Sequence, residues 1–324
     1  MSLQDDENVA TGLSPVSQGN HKEPAAIWQK PIPLRSFEQD IHSPDAAQSP
    51  ETATRPPKIL HREIAGRPVR HPAGYHAIKK CLEVQGPIKE RSTAAKILGI
   101  SPLTSESVSW YKGALGEIEI GERLDNMGPE WHIIHSMPIG SRGSDIDHIA
   151  IGRSGVFTIN TKRHRQANVW VGGKSFMVNG QRMPYLRNSE FEAERVQNSL
   201  RAELRWDVPV SSVLAVQAKS LTIKNQPAPV IVVEGNWLNR KLKNRKKILS
   251  EEQYRQIVQV FELSDTWQIE YEDPAPLLAD FAKLKKQEQQ ASLVKIIWLI
   301  GGAALAFWFI ASNVTGISAF LMGF

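Results

Sequence analysis

Hydrophobic and polar positions divide the chain into stretches of different character. Up to about residue 57 no apolar period is sustained, and Ser, Pro, Gln, Asp and Glu dominate, as in "HSPDAAQSPETATRPP". Such a segment buries too little apolar surface to offset the entropy of ordering, which predicts a disordered tail over 1–57. Residues 58–104 are basic and weakly patterned, a linker with short helical pieces at "YHAIKKCLEVQ" and "STAAKILG". The pattern then sharpens. Ala114, Leu115, Ile118 and Leu124 recur at helical spacing before Gly128, predicting an amphipathic helix over about 112–126. "WHIIHSMPIG", "DIDHIAIG", "GVFTINTK", "NVWVGG" and "SFMVNG" read as five strands with Gly, Ser and Arg turns between them. A helix follows with Phe191, Val196 and Leu200 in phase, then strands at "SSVLAVQA" and "APVIVVEG" and a helix at "SEEQYRQIVQVFEL". This order predicts one α/β domain over 105–275, a mixed β-sheet flanked by helices.

A polar juxtamembrane linker is expected over 276–292, a transmembrane helix over 293–316 and a short tail over 317–324. Residues 296–324 carry no charge, and "IIWLIGGAALAFWFIA" is at the centre of an apolar run longer than the roughly 20 residues a spanning helix needs. Lys283, Lys285, Lys286 and Lys295 precede the run and no charge follows, so the positive-inside rule places the preceding domain in the cytoplasm, on a single-pass C-terminal anchor. The first residues lack a basic and apolar leader and do not read as a secretory signal.

Composition adds two constraints. Lys and Arg number 39 against 34 Asp and Glu, a formal net charge of +5 that suits an anionic partner or membrane surface. The single cysteine, Cys81, rules out an intramolecular disulfide framework and points to a reducing compartment.

The candidate chemistry lies in "SDIDHIAIGRSGVFTINTKRH", residues 144–164. Side chains alternate faces along a strand, so Asp145 and Asp147 share one face, as do Asn160 and Lys162. The short "RSG" turn makes the two strands a hairpin and brings the four groups to one end of the sheet. Glu117, on the helix upstream, borders the apolar face. Carboxylates beside an amine suit a hard cation such as Mg²⁺ or Mn²⁺ with a lysine that orients an attacking water; an ion-pair network between Lys162 and Asp147 fits these residues equally well.

The ordered combination "GALGE", "DIDHIAIG", "GVFTINTK", "VWVGG", "VNGQ" and "YLRNS…EAERV" resembles the nuclease-related domain, NERD, a branch of the PD-(D/E)XK nuclease-like proteins. The resemblance covers about residues 107–205. It implies a nuclease-like core and phosphodiester hydrolysis of DNA or RNA. It implies Glu117 as the helix carboxylate, Asp147 as the first metal-binding acid and Lys162 as the catalytic lysine. Asn160 then stands where the pattern expects Asp or Glu. An amide oxygen is a weaker ligand for a hard cation and no base. Asp145 would restore the missing charge, and the backbone carbonyl of Thr161 would complete the metal ligands. Two functions follow: a membrane-anchored metal-dependent nuclease, or a binding module of the same fold, weakened at Asn160, that tethers nucleic acid or a protein to the membrane.

Other signals read as structural. "GGKS" at 172–175 joins two strands and is no phosphate loop. His132 and His135 fall on opposite strand faces, which argues against a zinc site with His148. Trp170 reads as a sheet-face aromatic. The run "NRKLKNRKK", 239–247, suits phosphates, an anionic leaflet or a solvated loop.

Overall fold

The computed structural model describes residues 71–139, 144–262, 267 and 272–321. The expected tail over 1–57 and the turn after the first strand lie outside the described residues. Among the described residues, seven strands form one mixed sheet. These are β1 (His132–Ile139), β2 (Ser144–Gly152), β3 (Gly155–Gly172), β4 (Ser175–Val178), β5 (Gln181–Met183), β6 (Val210–Ile223) and β7 (Ile231–Glu234). β1, β2 and β3 are antiparallel neighbours, β6 runs parallel to β3, and β7 runs parallel to β6.

The two runs "GVFTINTK" and "NVWVGG" are one strand, β3, rather than two. β6 follows it along one edge from Val156 to Val171, with a shift of register between His164 and Asn168. On the other edge the partner changes. β2 pairs only as far as His148 opposite Ile159, and β4 begins only at Val178 opposite Val169. The polar middle of β3 therefore has a strand on one side only, which is why its sequence breaks the apolar pattern without breaking the strand. Trp170 lies over Gly172, where an added Cβ would sit 2.5 Å from the indole.

Helices cover both faces. α1 (Tyr75–Gln85) and α2 (Thr93–Ile97) precede α3 (Ser107–Asp125), which starts earlier than its apolar period predicts. Ile120 and Leu124 of α3 pack on Ala150, Phe157, Ile159, Val213 and Ala215. Val196, Leu200 and Leu204 of α4 (Tyr185–Leu204) pack on the other face with Ile149, Ile151 and Val156, joined by Ile257, Val260 and Phe261 of α6 (Glu251–Glu262). The basic run contains a short helix, α5 (Leu238–Lys243), because Leu238 and Leu242 fall one turn apart and are buried against α3.

The last helix, α7 (Ala275–Leu321), is 47 residues long. Near its start Phe281 and Leu284 pack with Ala77, Ile78 and Cys81 of α1 and Tyr111 and Ala114 of α3. Farther on it is long and apolar enough to cross a membrane, and only 6% of that apolar window is buried in the protein. A core helix would be covered; this one is a candidate membrane-spanning helix.

Candidate metal centre

The end of β2–β3 pairing builds the site. Beyond His148 the strand β2 stays with β1, where Asp145 lies opposite Pro138, and departs from β3. The backbone N–H of Thr161, left without a β2 carbonyl, donates instead to Asp147 Oδ2 at 2.6 Å. This bond holds the carboxylate in the gap between the strands.

α3 brings the third acid. Gly116 lies so close to β3 that an added Cβ would be 3.0 Å from Arg163 Cβ and 3.2 Å from Thr161 Cγ2. That approach places Glu117 beside the strands: ligand oxygens of Glu117, Asp145 and Asp147 all lie within 4.8 Å of one another. Glu117 is 5% exposed, and among the described residues its Oε2 has no hydrogen-bond partner. An orphaned buried carboxylate oxygen is costly unless something positive faces it. An all-carboxylate donor set suits a hard divalent cation, so these residues fit one.

The electrostatics agree. Burial, then the charges of Asp147 and Asp145, raise the Glu117 carboxyl well above its usual range. Burial followed by Asp147 pushes Asp145 up to about 7. Burial also raises Asp147, opposed by Lys162 and by the Thr161 hydrogen bond.

Lys162 and Asn160 occupy the same face of β3, as alternation predicts, and both polar atoms of the Asn160 amide are hydrogen-bonded. Lys162 Nζ donates to Asn160 Oδ1 at 2.7 Å, and Asn160 Nδ2 donates to Glu192 Oε2. The amide thus bridges an amine and an acid, a task that needs both an acceptor and a donor. Among the described residues Lys162 forms no ion pair with Asp147; its Nζ lies 5.2 Å from the Tyr185 ring centroid. Tyr185 stacks on His164, and burial with nearby Lys162 lowers that imidazole to about 4, so it stays neutral at pH 7.

Glu192 was not expected from the sequence. Burial pushes its carboxyl up to about 8, with Asp147 and Asp145 adding to the rise and Lys162 opposing it. The signal was its phase: Ser189, Ala193, Val196 and Leu200 form the buried stripe of α4, and Glu192 falls three residues after Ser189 and four before Val196. Phe191, expected on that stripe, is 48% exposed.

The histidines form a hydrogen-bonded pair. His135 Nδ1 and His148 Nδ1 are 2.8 Å apart, and Asp125 Oδ1 lies 3.0 Å from His135 Nε2. Burial and His135 hold His148 well below the usual imidazole range.

Residues 112–217 match the family model of NERD, the nuclease-related domain. The chain thus carries a NERD-domain region with a PD-(D/E)XK-like arrangement of sheet, helices and acidic cluster, and the match includes every site residue above. No curated protein and no solved structure matches the chain.

Proposed function

We propose that the chain is a metal-dependent phosphodiester hydrolase acting on DNA or RNA, held at a membrane by α7 with the preceding domain on the cytoplasmic side. The observation that carries this reading is the convergence of Glu117, Asp145 and Asp147 within 4.8 Å around an orphaned carboxylate oxygen. Glu117, Asp145 and Asp147 would hold Mg²⁺ or Mn²⁺, with the carbonyl of Thr161 as a further oxygen. When bound, such a cation supplies positive charge at a phosphoryl oxygen and acidifies a water.

The chain's own residues do the rest. The Thr161 N–H fixes the Asp147 carboxylate beside those of Glu117 and Asp145. Lys162, held by Asn160 and the Tyr185 ring, offers N–H donors to a water or a phosphate. Glu192 retains its proton through neutral pH until a cation or substrate changes the local charge. Asn160 aligns Lys162 with Glu192.

A second reading, a binding module that tethers nucleic acid, is favoured by the lack of an acid at position 160. The full chain in detergent, incubated with single- and double-stranded DNA and RNA, separates them. Hydrolase activity requires Mg²⁺ or Mn²⁺, is abolished by chelation, and is lost in Asp147→Ala and Lys162→Ala. Retained binding with no cleavage under any of these conditions assigns the chain to the second reading.

A further inference from the structure

Among the described residues, three of the six large exposed apolar side chains outside α7, Phe191, Trp237 and Ile248, are scattered singly. Three are not. Ile97, Leu98 and Ile100, at the end of α2 and just beyond, are 58%, 57% and 51% exposed. This knuckle is fastened to α7 at one level. Gly99, at φ +65°, lies so close that an added Cβ would be 2.8 Å from Ala291 O and 3.0 Å from Lys295 N. One turn on, Trp298 Nε1 donates to Ile97 O at 2.8 Å.

At that level the charged part of α7 gives way to its apolar part. Lys295 is its last charged residue, and the side chains of Ile296, Ile297, Trp298, Leu299 and Ile300 are all exposed. A tryptophan at such a boundary is typical of a lipid headgroup region, where its ring meets hydrocarbon and its N–H needs an acceptor. Beside the knuckle, Lys112, Arg163 and Lys295 line a cleft of about 460 Å³ with Tyr111, Ser101 and Glu288. Glu288 is engaged by the hydroxyls of Ser101 and Ser292, whereas Arg163 Nε has no partner among the described residues. Apolar side chains continuous with a candidate span and flanked by a cationic cleft match the layering of an anionic bilayer surface.

We propose that Ile97, Leu98 and Ile100 insert into the interface of an anionic phospholipid bilayer while the Lys112, Arg163 and Lys295 cleft takes a lipid phosphate, so that the folded domain is docked on the membrane. This rests on the reading of α7 as a span, both for the depth at which the knuckle sits and for lipid as its occupant. The occupant is lipid because the patch has no boundary with the apolar face of α7: a protein partner seated there would have to share that level with the bilayer.

Full-length Leu98→Cys carrying an environment-sensitive fluorophore, reconstituted in phosphatidylcholine vesicles with and without phosphatidylglycerol, tests it. Cys81 is buried and its thiol is pushed up to about 11 by burial, so it does not compete for the label. Nitroxide lipids labelled near the headgroup should quench position 98 strongly. They should leave a label at Arg255→Cys, on α6 beyond the sheet, unquenched. Phosphatidylglycerol should increase the quenching, and Lys112→Glu should cut that increase about fivefold. Position 98 no more quenched than position 255 overturns docking, whether or not the protein resists alkaline extraction. Extraction by alkaline carbonate of protein whose position 98 had been quenched keeps docking and removes the span.

Discussion

Replacing Glu192 with glutamine leaves an acceptor for Asn160 Nδ2 and removes an ionisable carboxyl. In the folded chain burial pushes this carboxyl from an ordinary 4.5 to about 8. Between those values the folded protein binds more protons than the unfolded one, so stability of the metal-free chain falls as pH rises through that window and falls no further above it. At roughly 1.4 kcal/mol for each pKa unit, the loss from Glu192 at about pH 7.5 has an upper value of about 4 kcal/mol; water at the partly exposed edge of the site reduces it to about 2–3. For a domain of this size that is about 5–10 °C in Tm. Thermal unfolding of the full chain in detergent with a chelator, followed by near-ultraviolet circular dichroism, should show Glu192→Gln more stable than wild type by that amount at about pH 7.5, and equal to it at about pH 4. Added Mn²⁺ should close the gap by stabilising the wild type more. Equal Tm values at the higher pH, or a gap of the same size at the lower one, would refute the argument that charge burial governs this position.

Three further outcomes follow from the same geometry. Asn160→Asp, which the nuclease pattern would favour, sets a carboxylate against Glu192 where an amide now donates, so alone it should lower Tm above about pH 8, where Glu192 is ionised; combined with Glu192→Gln it regains a donor, and there the double-mutant cycle should show coupling of at least about 1 kcal/mol. Gly116→Ala drives a methyl against Arg163 and Thr161, should cost about 1–3 kcal/mol in unfolding, and should weaken cleavage by displacing Glu117; unchanged Tm and activity would contradict the close approach. Neutralising Lys241, Lys243, Arg245, Lys246 and Lys247 should flatten the salt dependence of duplex binding by about 0.9 for each phosphate the run had neutralised, measured by anisotropy titration; an unchanged slope assigns the run to the membrane or to solubility.

Much of the site was legible because strand alternation is strict. Asp145, Asp147, Asn160 and Lys162 could be placed on shared faces with no knowledge of the sheet order. What alternation cannot reveal is where two paired strands part, and the separation of β2 from β3 after His148 is what lets Glu117 approach the acids of the hairpin. Glu192 was hidden for another reason. The buried stripe of α4 is read by small residues, Ser189 and Ala193, whose apolar signal is weak beside that of Phe191, and the large aromatic drew the period to the wrong face. The role of Asn160 was equally hidden, since an amide in place of an acid reads as a loss until its two partners are seen. The continuity of β3 was obscured because its polar middle has a strand neighbour on one edge only.

The central claim is that Glu117, Asp145 and Asp147 hold a divalent cation, and it can be read without any substrate. Titration of the full chain with Mn²⁺, followed by loss of the free-ion electron paramagnetic resonance signal, should reveal saturable binding that Mg²⁺ competes away. Asp147→Asn, which keeps an acceptor for the Thr161 N–H but removes the charge, should weaken it about tenfold or more, while Lys162→Ala should leave it within about threefold. Saturable binding that Asp147→Asn leaves unchanged, or none at all, would contradict the account.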